Sequence, residues 1–286
     1  MSATATRARS RRNLFASPMT RVGLVLLGIV AVITIVGPLV YDVSPTRTNA
    51  MDGYAPPSAA YPLGTDQLGR DTLARLLHAG LLSIPAGLLA VGIGAVIGSL
   101  IGVASGFVGG FVDNTIMRVV DVLLSFPTLL TAIVVVAILG PSVTSAIIAV
   151  SIAALPSYAR VMRGSVLPLR SAAFIQAARV SNTPLYRLLF VHVLPNVADV
   201  LIVLLVIGMG NGIVVLSALS FLGIGVQPPQ ADWGVMLTEG VDAIYTAPVA
   251  ALAPAVMLML TVLGINFLGE GLGARLRVDT ARRRPR

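Results

Sequence analysis

Few residues in this chain carry groups that could do chemistry. Its 286 residues hold two histidines, His78 and His192, twelve acids and no cysteine. Without cysteine there is no thiolate nucleophile, no thiolate zinc site and no disulfide framework. All 20 basic residues are arginine. A phosphate loop of the Walker type uses a lysine to reach the β- and γ-phosphates, so this chain cannot bind ATP by that route. Segment 64–75, with Gly64 and Gly69, has the glycines of such a loop but not the lysine. Its Asp66, Arg70 and Asp71 are better suited to tying a loop together. Asp66 and Arg70 stand at i and i+4, the spacing of a local pair on a helix. Arg118 and Asp121, at i and i+3, allow a second local pair.

The acids nearest to apolar runs are Asp121, Asp199 and Glu270, all at the ends of those runs. Ion-coupled transporters place acids or histidines inside their spans, so a proton relay is not expected. Both histidines fall outside the apolar centres, which leaves a membrane-embedded Ser-His enzyme without support. A stand-alone channel would carry a charged ring within its spans, and none is present. The chain therefore reads as a passive conduit or one driven by a partner.

The elements that must position these residues are membrane helices. The hydrophobic fraction is 56% and the charged fraction 11%, too few charges to coat a soluble globule of this size. A helix needs about 20 apolar residues to cross a bilayer. Runs free of Asp, Glu and Arg predict six spans near residues 22–41, 81–106, 122–139, 143–159, 200–219 and 243–269. Gly140-Pro141-Ser142 separates the third from the fourth. Six spans put both termini on one side. Seventeen arginines fall on that side and three, Arg47, Arg70 and Arg75, on the other, so the termini are expected in the cytoplasm. The basic balance is then a topology signal, and a nucleic-acid partner is not expected. Gly94, Gly98, Gly102, Gly106 and Gly110 recur every four residues along one face of the second span, where helix backbones approach closely. Pro85 and Pro127 are candidate kinks.

One connection stands out. Segment 160–196 is long for a link between neighbouring spans, and holds Arg160, Arg163, Arg170, Arg179 and Arg187 with no acid. Ser171 is a candidate cap for a helix ending at Arg179 or Val180. Phe174, Ala177, Ala178 and Ser181 share one face of that helix. Asn182 tolerates the left-handed turn that would follow. Thr183 and Pro184 suit the start of a second helix lined by Leu185, Leu188, Leu189 and His192, with Pro195 ending it. Such a helix pair suits either a groove on a partner protein or lipid headgroups, with arginines reaching phosphates.

Here the sequence resembles the permeases of bacterial ABC importers. Their loop carries Glu-Ala-Ala, then three residues, Gly, nine residues and Ile-x-Leu-Pro. Gln176-Ala177-Ala178, Asn182 and His192-Val193-Leu194-Pro195 stand at that spacing, with Gln for Glu, Asn for Gly and His for Ile. Arg179 lies within the motif. Residues 61–80 (YPLGTDQLGRDTLARLLHAG), 220–237 (SFLGIGVQPPQADWGVML) and 260–272 (LTVLGINFLGEGL) are similar to blocks in the C-type subunits of dipeptide, oligopeptide and nickel permeases.

The resemblance implies an all-α polytopic membrane protein with six transmembrane helices and the type I ABC importer permease fold, in the bacterial inner membrane. Its parts are a basic tail (1–20), the first span with an extracytoplasmic segment (21–77), a permease core (78–270) containing the coupling loop (160–196), and a second basic tail (271–286). It implies no catalytic residue and no cofactor on this chain, with ATP and Mg on partner ATPases. The partners implied are a homologous B-type permease, one or two cytoplasmic ATPases docking on the loop, an extracytoplasmic binding protein and membrane lipid. The substrates implied are di- or oligopeptides, with nickel chelates, glutathione or haem as alternatives within the same architecture. Segment 220–242, free of Arg and holding Asp232, Trp233, Glu239 and Asp242, suits an extracytoplasmic cap.

Overall fold

The computed structural model describes residues 17–283, with side chains described through Ala274. Arg7, Arg9, Arg11, Arg12, Arg284 and Arg286, which carried part of the topology argument, lie outside the described residues, as do the side chains of Arg275, Arg277, Arg282 and Arg283.

Helices make up the fold. α1 (Pro18–Val40), α2 (Thr72–Val108), a bent pair α3 (Gly110–Ser125) and α4 (Thr128–Leu139), α5 (Val143–Ser171), α7 (Leu185–Phe221) and α9 (Pro248–Arg283) are the long elements. Between them lie two short helices, α6 (Ala173–Val180) and α8 (Trp233–Asp242). Five helices are each long and apolar enough to cross a membrane, and the bent pair makes a sixth crossing if it counts as one span.

The third predicted span is therefore corrected. Residues 122–139 are not one rod: α3 and α4 meet at 96°. Pro127 is the cause. It lacks an N–H, and it pushes Phe126 out of the helical region to φ −94°, ψ 140°. The separation of the third and fourth spans stands where expected. Gly140 ends α4 at φ 85°, and Ser142 Oγ caps α5 by accepting from Ser145 N at 3.0 Å. Pro85, by contrast, sits inside a continuous α2.

Two other prolines are absorbed by wider turns. A π-helical turn over Val32–Val36 precedes Pro38, and another over Leu188–Val193 precedes Pro195. A proline inside a helix removes one hydrogen bond and presses its ring on the carbonyl four residues back. A locally wider turn relieves both. Pro195 accordingly does not end the second loop helix; that helix runs on into the fifth span as α7.

α2 packs along α5 as the central pair, α1 lies along α9, and α7 packs against α2 and α9. The glycines explain how close the central pair comes. A Cβ on Gly94 would stand 2.6 Å from Ser151 O, and one on Gly98, Gly102 or Gly106 would meet Leu155 O, Ala159 O or Arg163 O. Both sets of partners recur every four residues, so one helix lies along the other's glycine stripe. Gly110 is outside that stripe, because α2 has ended at Val108 and Gly110 has open space at its Cβ position.

Candidate functional site

At the end of the bundle where α2 turns into α3, three arginines converge on the turn. Arg163 Nε and Nη2 each donate at 2.7 Å to the two carboxylate oxygens of Asp113. Asp113 also accepts from Ser105 Oγ at 2.5 Å. The Arg170 guanidinium lies against Gly109, whose φ of 72° and lack of side chain make the room. The Arg179 guanidinium carbon sits 4.9 Å from the centre of the Phe107 ring, a cation–π distance. Arg118 does not pair with Asp121 as its spacing suggested. Asp121 reaches Arg160 on α5 instead, because α3 lies along α5 and turns that carboxylate towards it.

The connection is shorter than the sequence implied. Arg160 and Arg163 belong to α5, and residues from Leu185 onward belong to α7. What lies between α5, whose last turn over Leu167–Ser171 is 3₁₀, and α7 is α6 and a turn at Asn182. Ser171 does not cap α6, since its hydroxyl donates to Pro168 O at 3.3 Å and α6 begins after Ala172 without a side-chain cap. Pro184, expected inside the second helix, is its N-cap. Asn182 takes the left-handed conformation at φ 57°, as its amide chemistry allows.

Sequence periodicity missed the residue that anchors α6. Ile175 is fully buried, in a cluster with Val103, Phe107, Met162, Val166, Leu188, Val193 and Val197. Removing an isoleucine side chain from water stabilises by ~2 kcal/mol, which pins a two-turn helix otherwise held by few contacts. Ala178 leans on the same cluster, and the spacing of Ile175 to Ala178 was the available signal. Phe174, Gln176, Ala177 and Arg179 are exposed, as are Pro184 and Pro195; His192 and Leu194 are half-buried. Gln176 Nε2 donates to Arg170 O at 3.0 Å. Its neutral amide therefore binds a backbone carbonyl, a partner that a glutamate at that position would repel.

The opposite end carries a buried ion cluster. Asp66 Oδ2 accepts from Arg70 Nε at 2.7 Å and also pairs with Arg75. Glu239 of α8 binds Arg70 Nη2 at 3.0 Å and Arg75 Nη1 at 2.6 Å. Asp66 and Arg70 pair across a loop turn and not on a helix. Asp71 caps α2 by accepting from Ala74 N at 2.8 Å, and its other oxygen accepts from Tyr41 Oη at 2.5 Å. Burial, then that carboxylate, push the Tyr41 hydroxyl up to about 12. Trp233, wholly buried, donates from N to Ser83 Oγ at 3.0 Å and from Nε1 to Leu76 O at 3.2 Å. Asp232 caps α8 by accepting from Val235 N at 2.8 Å. Loop 41–71, the start of α2 and α8 are thereby joined into one lid.

Long apolar helices, one broken span, a small helix displayed at one end and a tightly paired lid at the other mark an integral membrane protein. Residues 94–278 match the model of the "Binding-protein-dependent transport system inner membrane component" family, and residues 7–57 match the "N-terminal TM domain of oligopeptide transport permease C". The chain belongs to this family of inner-membrane importer subunits, as a C-type permease. It is 38% identical to the dipeptide transport system permease protein DppC of Alkalihalophilus pseudofirmus, over 88% of this chain and 83% of that one. It is 46% identical to the glutathione transport system permease protein GsiD of Salmonella typhimurium, over 76% and 71% of the respective chains. Among solved structures, an inward-facing form of the MetNI methionine ABC transporter matches with a TM-score of 0.57 at 19% identity, over 73% of this chain and 97% of that one. That likeness supports the type I permease fold.

Proposed function

We propose that the chain forms, with a homologous B-type permease, the membrane pathway of an ATP-driven importer of di- or oligopeptides. One or two cytoplasmic ATPases dock on α6, and an extracytoplasmic binding protein delivers substrate to the lid formed by loop 41–71 and α8. ATP and Mg bind the ATPases, since this chain has no lysine for a phosphate loop. ATP-driven closure pushes α6 and opens the pathway outward; hydrolysis and release reset it. The bundle is then a two-state element biased from both ends.

The observation that carries this reading is the geometry of α6. Its underside is anchored by Ile175, while Phe174, Ala177 and Ser181 stand exposed on the other side. An exposed face carrying small residues beside Phe174, on a fixed base, suits a groove on another protein. The named substrates of the relatives, dipeptide and glutathione, both contain amide-linked backbones, and the 46% identity to the glutathione permeases makes glutathione the second reading.

The test is Ala177→Trp in the assembled transporter, reconstituted with its ATPases and binding protein. Peptide import should fall about tenfold while the permease still inserts, because a docking groove packed to interior density cannot take the added volume. Unchanged import would remove α6 from the docking role. If removing Arg170, Arg179 and Arg187 together mattered and Ala177→Trp did not, α6 would be a lipid-surface element.

A further inference from the structure

Among the described residues the spans hold amides that make no hydrogen bond, Asn211 of α7 and Asn266 of α9 among them. Asn211 lies on α7, is exposed, and makes no hydrogen bond to another described residue. Its depth follows from its neighbour. A Cβ on Gly212 would touch Val91 and Gly87 O on α2. Val91 is about 29 Å along the axis from Thr72 and about 26 Å from Val108, at 1.5 Å per residue. Asn211 is thus near the middle of the bilayer.

Several hydroxyls in these spans satisfy themselves, although those of Ser99 on α2 and Ser217 on α7 are buried without a partner among the described residues. Thr34, Ser151 and Thr261 donate to carbonyls four residues back at 2.9, 2.7 and 2.7 Å. An amide cannot do this completely. It has two donors and an acceptor, so even the back-bond that Asn196 makes to His192 O leaves the carbonyl oxygen unpaired. Hydrocarbon offers it nothing, and polar groups at that depth face protein or a water-filled cavity.

A groove begins about one turn along α7 from Asn211, at Val214. Val214, Ala218 and Phe221 continue the Asn211 face of α7 outward, and Leu258, Met259 and Val262 of α9 form the facing wall. Leu237 of α8 stands at the outer end. One turn inward from Val262 on α9 is Asn266, whose Oδ1 lies 3.2 Å from where a Cβ on Gly210 would stand. Apart from Ser217, the groove walls are apolar, and they carry no charge.

We infer that Asn211, with Asn266 beside it, is the polar contact this chain offers to the backbone amides of a substrate in transit. This deepens the importer reading and rests on it. A neutral amide pairs with either a peptide N–H or a peptide C=O, whatever the side chains. Lacking charge, it holds the substrate weakly enough to release it, which conduction requires.

The absence of cysteine makes the test direct. Asn211→Cys, in the otherwise cysteine-free permease assembled with its partners in proteoliposomes, is exposed to a charged, membrane-impermeant maleimide. Labelling should exceed that of Val25→Cys, a control on the 60% exposed, outward face of α1, by at least about tenfold. Binding protein loaded with peptide, together with ATP, should slow it. Labelling no faster than the control overturns the inference, as does a cross-link from the introduced thiol to the companion permease with the reagent excluded. In parallel, Asn211→Leu should cut peptide import about tenfold while Asn211→Gln retains most of it, the factor expected when a buried polar partner is left unmet. Normal import by Asn211→Leu overturns it too. If the wild-type assembly imports no peptide, the importer reading fails on substrate, and the labelling comparison, which needs no transport, still decides whether position 211 meets water.

Discussion

The two ends of the bundle hold their charges in opposite ways. At the outer end, Asp66, Arg70, Arg75 and Glu239 bind one another with side chains between 2% and 15% exposed. Each acid serves both arginines, and the set spans a loop, the start of α2 and α8. At the inner end, Asp113 is nearly buried but its partner Arg163 is 30% exposed, and Asp121 and Arg160 are 61% and 52% exposed. Those pairs join α3 to α5 only. Buried ions repay their desolvation only when every one is paired, so the outer cluster is an all-or-none joint. The inner pairs are wet and separable, and α6 beyond them rests on Ile175 and a few neighbours. One end is held by a dry ion cluster and the other by wet, separable pairs.

This contrast can be broken or sharpened by measurement. The largest effect is expected from Glu239→Ala, which leaves Arg70 and Arg75 short of a counter-charge in a dry site. It should cost about 3–5 kcal/mol, seen as a large drop in the thermal midpoint of the purified protein. A loss under about 1 kcal/mol, the size of an exposed pair, would mean that the outer joint is not all-or-none.

Next comes Asp232. Burial raises its carboxyl from an ordinary 3.8 to about 6, against the backbone N–H of Val235, which favours the charged form. A folded-state value above the unfolded one means that the native protein holds the proton more tightly. Stability should therefore be highest at low pH and decline as pH rises from about 4 to about 6, then level off. Asp232→Asn keeps the cap oxygen, abolishes that slope and should raise stability at about pH 7 by ~2 kcal/mol. A slope that survives the substitution would assign the titration elsewhere. The smallest effect is expected from Asp121→Ala, under about 1 kcal/mol and diminished further by salt, as for other exposed pairs. A loss equal to that of Glu239→Ala would erase the difference between the ends.

Much of this architecture is legible in the residues. Apolar runs mark the spans, since no other segment can shed its charges for about 20 residues. The glycine period marks a helix face because only a bare backbone permits such an approach. Asn182 and Gly140 mark turns through their tolerance of positive φ. What the residues conceal has physical causes as well. Pro127 breaks its span while Pro85, Pro38 and Pro195 do not, because the outcome depends on whether neighbouring turns widen or neighbouring helices hold the chain straight. The partner of Asp121 lies 39 residues away on another helix, and no local spacing records it. Ile175 and Phe174 look alike in composition, and only the packing of α2 and α7 decides which one is buried. Asn211 escapes notice because a search for ionisable groups passes over an amide.

The π-helical turn before Pro195 has a mechanical consequence. By absorbing the proline, it leaves α7 unbroken for 37 residues, from the turn beside α6 to Phe221. A rod of that length measures about 55 Å. A tilt of about 5° at one end displaces the other by about 5 Å, roughly one helical turn. Ser220, near the rod's far tip, accepts from Val226 N at 3.1 Å and packs where Gly234 leaves room beside Asp232 and Trp233. A residue that usually stops a helix thus sits inside a rod that joins the end bearing α6 to the lid made by loop 41–71 and α8.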